Sequence, residues 1–128
     1  QHVNHIKRTV MNEVNKRSEI KLDVGLDKTG LPVDIKCIAV DSQKGVQETN
    51  CKAMILSLFD RDSKDTLKID LWTKDMEIME MDRFVYQMMR SLADTYYKAT
   101  NNADLANEMQ RFVQYFGEKT EIIPPLNN

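Results

Sequence analysis

From Ser18 onward the chain alternates. Ile20, Leu22, Val24 and Leu26 are interleaved with Glu19, Lys21, Asp23 and Gly25, the period of two imposed on a strand with one face in a core. Asp27-Lys28-Thr29-Gly30 then predicts a tight turn, with Gly30 supplying the left-handed conformation that a short hairpin loop needs. Pro32 has no ladder donor and suits the start of a returning strand, in which Val33, Ile35, Cys37 and Ala39 share a face. Cys37 falls in the buried register and reads as a small core hydrophobe. Residues 41–50 (DSQKGVQETN) read as a polar connection. In residues 51–59 (CKAMILSLF) composition favours a helix, whereas short length, apolarity on both faces and the polar DRDSKD that follows favour a buried strand, and strand is preferred. Residues 66–73 (TLKIDLWT) alternate again: Leu67, Ile69 and Leu71 on one face, Lys68, Asp70 and Trp72 on the other. Trp72 is therefore outside the core register, which predicts either a cover over it or an exposed aromatic patch.

The period then lengthens. Ile78, Met81, Val85, Met88, Leu92, Tyr96 and Ala99 recur every three or four residues, as on one face of a helix of about six turns. Asp75 is the expected N-cap and Glu77 a favourable charge in the first turn. Thr100-Asn101-Asn102 breaks the pattern. Asn102 is expected to cap a second helix with apolar positions Leu105, Met109, Phe112, Val113 and Phe116, and Gly117 to end it. So short a break makes the pair an antiparallel hairpin. Strands first and helices after predict an α+β fold: an antiparallel sheet of about four strands with the two-helix hairpin packed on one face.

Residues 1–17 lack either period, hold both histidines and read as a disordered leader, residues 18–121 as a single α+β domain, and residues 122–128, behind Pro124-Pro125, as a short extended tail. Lys7 and Arg8 are followed by no apolar run of signal-peptide length. Met11 is a candidate start, with residues 1–10 an extension.

Composition narrows the function classes. The 128 residues carry 18 Lys+Arg against 20 Asp+Glu, which leaves no basic footprint for nucleic acid. No apolar run reaches the roughly 20 residues of a membrane-spanning helix. Two cysteines without an export signal point to free thiols in a reducing cytoplasm.

The chemical survey is sparse. With His2 and His5 confined to the leader, Ser-His and Cys-His nucleophile pairs are not available to the folded segment. Asp60, Asp62 and Asp65 lie among Arg61 and Lys64 without the register of a calcium loop, and read as a solvated turn. Gly25, Gly30, Gly45 and Gly117 stand singly and form no phosphate loop. No catalytic residue, metal site or cofactor is expected. Met81 and Met88 read as core, while Met79 and Met89 fall towards the side of the first helix and would widen an apolar patch. The candidate interaction surface is Trp72 with Lys74, Asp75 and Met76. An alternative is a small-ligand-binding domain or an unassigned enzyme with a cleft between sheet and helices using Asp70.

Residues 52–60 (KAMILSLFD), followed by 65–76 (DTLKIDLWTKDM), resemble the GldC family of gliding-motility-associated proteins. The likeness starts at Ser18-Glu19-Ile20-Lys21-Leu22, continues through Leu92-Ala93-Asp94-Thr95-Tyr96 and on to Tyr115-Phe116, and so covers residues 18–120. Phe59 stands where the family pattern calls for Trp. The resemblance implies a cytoplasmic, non-enzymatic accessory role in gliding, exercised through contacts with a protein partner or another copy of the chain. It brings no catalytic residues.

Overall fold

A computed structural model describes residues 13–41 and 43–125. The histidines, Met11 and most of the expected leader lie outside the described residues, as do residues 126–128. Residues 13–17 are exposed and have no regular structure. The chain forms two compact units, one reaching Lys74 and the other beginning at Asp75.

Among the described residues, the first unit holds five antiparallel strands: β1 (Glu19–Leu26), β2 (Pro32–Asp41), β3 (Gly45–Cys51), β4 (Ala53–Phe59) and β5 (Thr66–Trp72). They form two sheets, β1-β2-β3 and β4-β5, in place of one sheet of about four. The α+β order of strands then helices is as expected. The extra strand is β3, which lies in the segment read as a polar connection. It pairs with β2 from Val40↔Val46 to Ile35↔Cys51, yet its side chains are exposed up to Cys51. An edge strand is held by its backbone ladder and needs no apolar alternation. Gly45, at φ +80, closes the turn that starts it.

The registers put the expected residues on common faces. Leu22 lies opposite Cys37 and Val24 opposite Ile35, so one face of the first sheet runs through Ile20, Leu22, Val24, Ile35, Cys37 and Ala39. Ile35 is 1% exposed and Cys37 half-buried. Residues 51–59 are strand, divided by a bend at Lys52. The Lys52 carbonyl accepts from both the N–H and the hydroxyl of the buried Thr73, at 2.7 and 3.2 Å. The Lys74 N–H donates to the Pro32 carbonyl at 3.2 Å.

The second unit is a helical hairpin, α1 (Ile78–Thr100) and α2 (Ala103–Lys119). Its first N-cap is Glu77, correcting Asp75: the Glu77 N–H donates to Oε1 of Glu80 at 3.0 Å, which satisfies a donor at the helix start. Asn101 turns through φ 60, and the Asn102 carboxamide accepts from the Leu105 N–H at 3.1 Å, as an N-cap should. Gly117 does not end α2; it is buried inside it, and Thr120 caps the helix. A Cβ at Gly117 would lie 2.7 Å from Cε1 of Tyr86 and 2.8 Å from Cγ1 of Ile123. Close approach, not termination, requires glycine there.

The buried seam of the hairpin is Tyr86 and Ala93 on α1 with Ala106, Val113 and Gly117 on α2. It is rotated by about one residue, roughly 100°, from the stripe of large apolar residues read on α1. Small side chains let two helices approach, while Ile78 and Leu92 of the expected stripe are exposed. The contacts of Gly117 with Tyr86 and of Gln110 with Arg90 and Asp94 fix the antiparallel direction.

Candidate interaction surface

The β4–β5 register decides what each face of this hairpin presents. Met54 lies opposite Leu71, Leu56 opposite Ile69 and Leu58 opposite Leu67. That face is wholly apolar. Towards the tip it is open, with Leu58 51% and Leu67 57% exposed. The opposite face pairs Ala53 with Trp72, Ile55 with Asp70, Ser57 with Lys68 and Phe59 with Thr66. Trp72 is 55% and Phe59 68% exposed, so two aromatic rings flank an ion pair, Lys68 Nζ to Asp70 Oδ2 at 2.8 Å. Exposed aromatic side chains are enriched at interfaces, whereas Lys and Asp are depleted there.

The tip itself is a solvated turn. Asp60 Oδ1 accepts from the N–H groups of Asp62 and Ser63 at 2.8 and 2.9 Å, and Lys64 takes φ 63. Those two donors hold the Asp60 carboxyl below its ordinary range, and the hydrogen bond and charge of Lys68 do the same for Asp70. Acid catalysis by Asp70 would need the opposite shift.

Lys74 is held at the first unit's β1–β2 turn: its Nζ lies 2.9 Å from Asp27 Oδ2. The other oxygen of Asp27 accepts from the Thr29 hydroxyl and N–H and from the Leu31 N–H. The Thr29 hydroxyl, then Lys74, then the Leu31 N–H push the Asp27 carboxyl far below its usual range. Of the four candidate residues, Trp72 and Lys74 belong to the first unit, and Asp75, exposed, and Met76, half-buried, to the second.

The second unit has an apolar surface on the side of the first helix where Met89 was expected to widen a patch. Met89, Leu92, Met109, Phe112 and Val113 line an open groove of about 200 Å³ on one side of the helical seam. Met89 is half-buried there and Met79 exposed. The opposite side of the seam is lined by Asp94, Asn107 and Gln110 together with Tyr97 and three alanines. The signal available in the sequence was the width of the apolar arc on α1, which exceeds the stripe that one partner helix covers.

Among the described residues, no group of three or more His, Cys, Asp or Glu side chains could hold a metal ion, and no helix is long and apolar enough to cross a membrane. The architecture defines a small α+β protein with exposed aromatic and aliphatic strand faces. The family model described as gliding motility-associated protein GldC-like matches residues 32–122. The chain belongs to the GldC-like family. The match opens at β2, leaving β1 outside it, whereas the resemblance read from the residues began at Ser18. No curated protein and no solved structure matches the chain.

Proposed function

We propose that this GldC-like protein is a non-enzymatic accessory component of the gliding machinery, acting in the cytoplasm through contacts with another protein of that machinery. The observation that carries the reading is Trp72, more than half exposed on a strand face it shares with Phe59 and Ile55. Exposed aromatics gathered on one face are the usual anchors of protein contacts. Family membership supports the motility role. The unpaired thiols of Cys37 and Cys51 suit a reducing compartment. Trp72 is the anchor of the proposed surface, with Lys74 of the same unit as its neighbour in the chain; Asp75 and Met76, in the second unit, are candidates in their own right.

The test is Trp72→Ala in a gliding bacterium, read by affinity recovery of partners and by colony spreading. Reduced spreading and loss of a recovered partner, with an unchanged circular dichroism spectrum, are the expected results. Full recovery and normal spreading would remove the proposal. A stability loss of the about 3–5 kcal/mol typical of a buried aromatic would instead place Trp72 in a core.

A further inference from the structure

Among the described residues β4 and β5 form a two-stranded sheet, and just past β5 the Lys74 N–H bonds to the Pro32 carbonyl at the start of β2; a two-stranded sheet leaves strand edges open to a neighbour. Its ladder fixes which backbone groups remain available. The Asp60 N–H donates to the Asp65 carbonyl at one end, and the Thr73 N–H to the Lys52 carbonyl at the other. The register runs unbroken between them. Hydrogen-bonded pairs alternate along an antiparallel ladder, so Leu67, Ile69 and Leu71 direct their N–H and C=O groups to β4. Thr66, Lys68, Asp70 and Trp72 direct theirs away from it.

We propose that β5 pairs antiparallel with β5 of a second copy of this chain, about a twofold axis at Ile69, joining two hairpins into a four-stranded sheet. In that register Lys68 lies opposite Asp70 of the other copy, and Thr66 opposite its Trp72. These are the residues whose backbone groups point outward, so each pair exchanges two N–H···O bonds. Leu67 meets Leu71, and Ile69 meets its own counterpart, on the apolar face already lined by Met54, Leu56 and Leu58. The Lys68–Asp70 pair seen within one strand becomes four charges of alternating sign.

The register is selective. Sliding by two residues either way preserves the hydrogen bonding but sets Lys68 against Lys68 or Asp70 against Asp70, and like charges directly opposite are destabilising. β1 carries the same alternation in Lys21-Leu22-Asp23. That strand edges a three-stranded sheet, whereas β5 edges only two, which leaves the β5 edge with more to gain from a neighbour. The pairing concerns the backbone edge of β5 and does not rest on Trp72 engaging a motility component. Loss of that partner without change of mass, or the reverse, separates the two.

A seven-residue strand pair lies at the small end of interfaces, so the dimer is expected in the micromolar class. Sedimentation equilibrium of the full chain up to about 500 µM should show a reversible species of twice the 14.9 kDa chain mass. Lys68→Asp and Asp70→Lys should each raise the dimer Kd at least about tenfold, because each sets like charges opposite one another in the homodimer. Mixed in equal amounts, the two variants should restore the dimer as a heterodimer, which misfolded variants would not do. A wild-type chain that stays monomeric throughout overturns the proposal, as does a dimer indifferent to both swaps. A dimer broken by Lys21→Asp but not by the β5 swaps moves the contact to β1 and likewise overturns it.

Discussion

Replacing Gly117 by Ala sets two opposed effects against each other. In a helix interior the change gains about 1 kcal/mol, since Gly is that much poorer than Ala in propensity. Here the added methyl would sit 2.7 Å from Cε1 of Tyr86 and 2.8 and 2.9 Å from Cγ1 and Cδ1 of Ile123. Overpacking of this kind costs about 1–3 kcal/mol. Three contacts below 3.0 Å, one of them on a buried aromatic ring, place the cost in the upper half of that range. The expected net loss is about 1–2 kcal/mol. Urea unfolding followed by circular dichroism should show a midpoint lower by roughly 0.5–1 M at a mid-range slope of about 2 kcal/mol/M. Ile123→Ala combined with Gly117→Ala should recover part of the loss, because the two changes share a contact. A Gly117→Ala variant as stable as the wild type, or more so, would refute the close approach of α2 to Tyr86 and with it the reason given for this glycine.

Two further outcomes follow from the packing and the charges. Ile35→Ala should cost about 2–5 kcal/mol, as truncation of a fully buried aliphatic does, while Ile20→Ala on the same sheet face should cost under about 1 kcal/mol; equal losses in urea titrations would show that burial on this face is not graded. Asp27, Asp60 and Asp70 all have depressed carboxyl pKa values in the folded chain, against an ordinary 3.8. Above that value both states are ionised and the stabilisation is complete; as pH falls through it the unfolded chain binds protons first, and stability is lost down to the folded values. The urea midpoint should therefore begin to fall near about pH 5 and keep falling below about pH 3, and Asp27→Asn should flatten that fall. An unchanged slope for the variant would exclude the Thr29 and Lys74 contacts as its source.

The hairpin of β1 and β2 was legible in the sequence because a half-buried face forces alternation, and the same rule put Trp72 on the face opposite Leu71. β3 was not legible by that rule. Its Val46-Gln47-Glu48-Thr49-Asn50 run is exposed, so no apolar period marks it, and pairing with β2 is carried by backbone groups that every sequence has. On α1 the length and the Asn-rich stop were readable, but the seam was not. Counting large apolar residues points to Met81, Val85 and Met88, whereas contact with α2 runs through Tyr86 and Ala93, where small partners permit approach. Gly117 was misread for a related reason: a glycine near a helix end looks like a terminator until the ring it accommodates is known. The hold of Asp27 on Lys74 spans 47 residues and has no local signature.

That long-range contact bears on how the first unit folds. Among the described residues its three strand pairings all join chain neighbours, β1 with β2, β2 with β3 and β4 with β5, so most of these contacts close short loops and low contact order favours rapid formation. The Lys74 side chain on Asp27 and the Lys74 N–H on the Pro32 carbonyl are different in kind, since they tie the end of the unit back to its first hairpin. They act as a latch, and the protection of the Lys74 amide against exchange with solvent measures how often that tie between the two sheets of this unit opens.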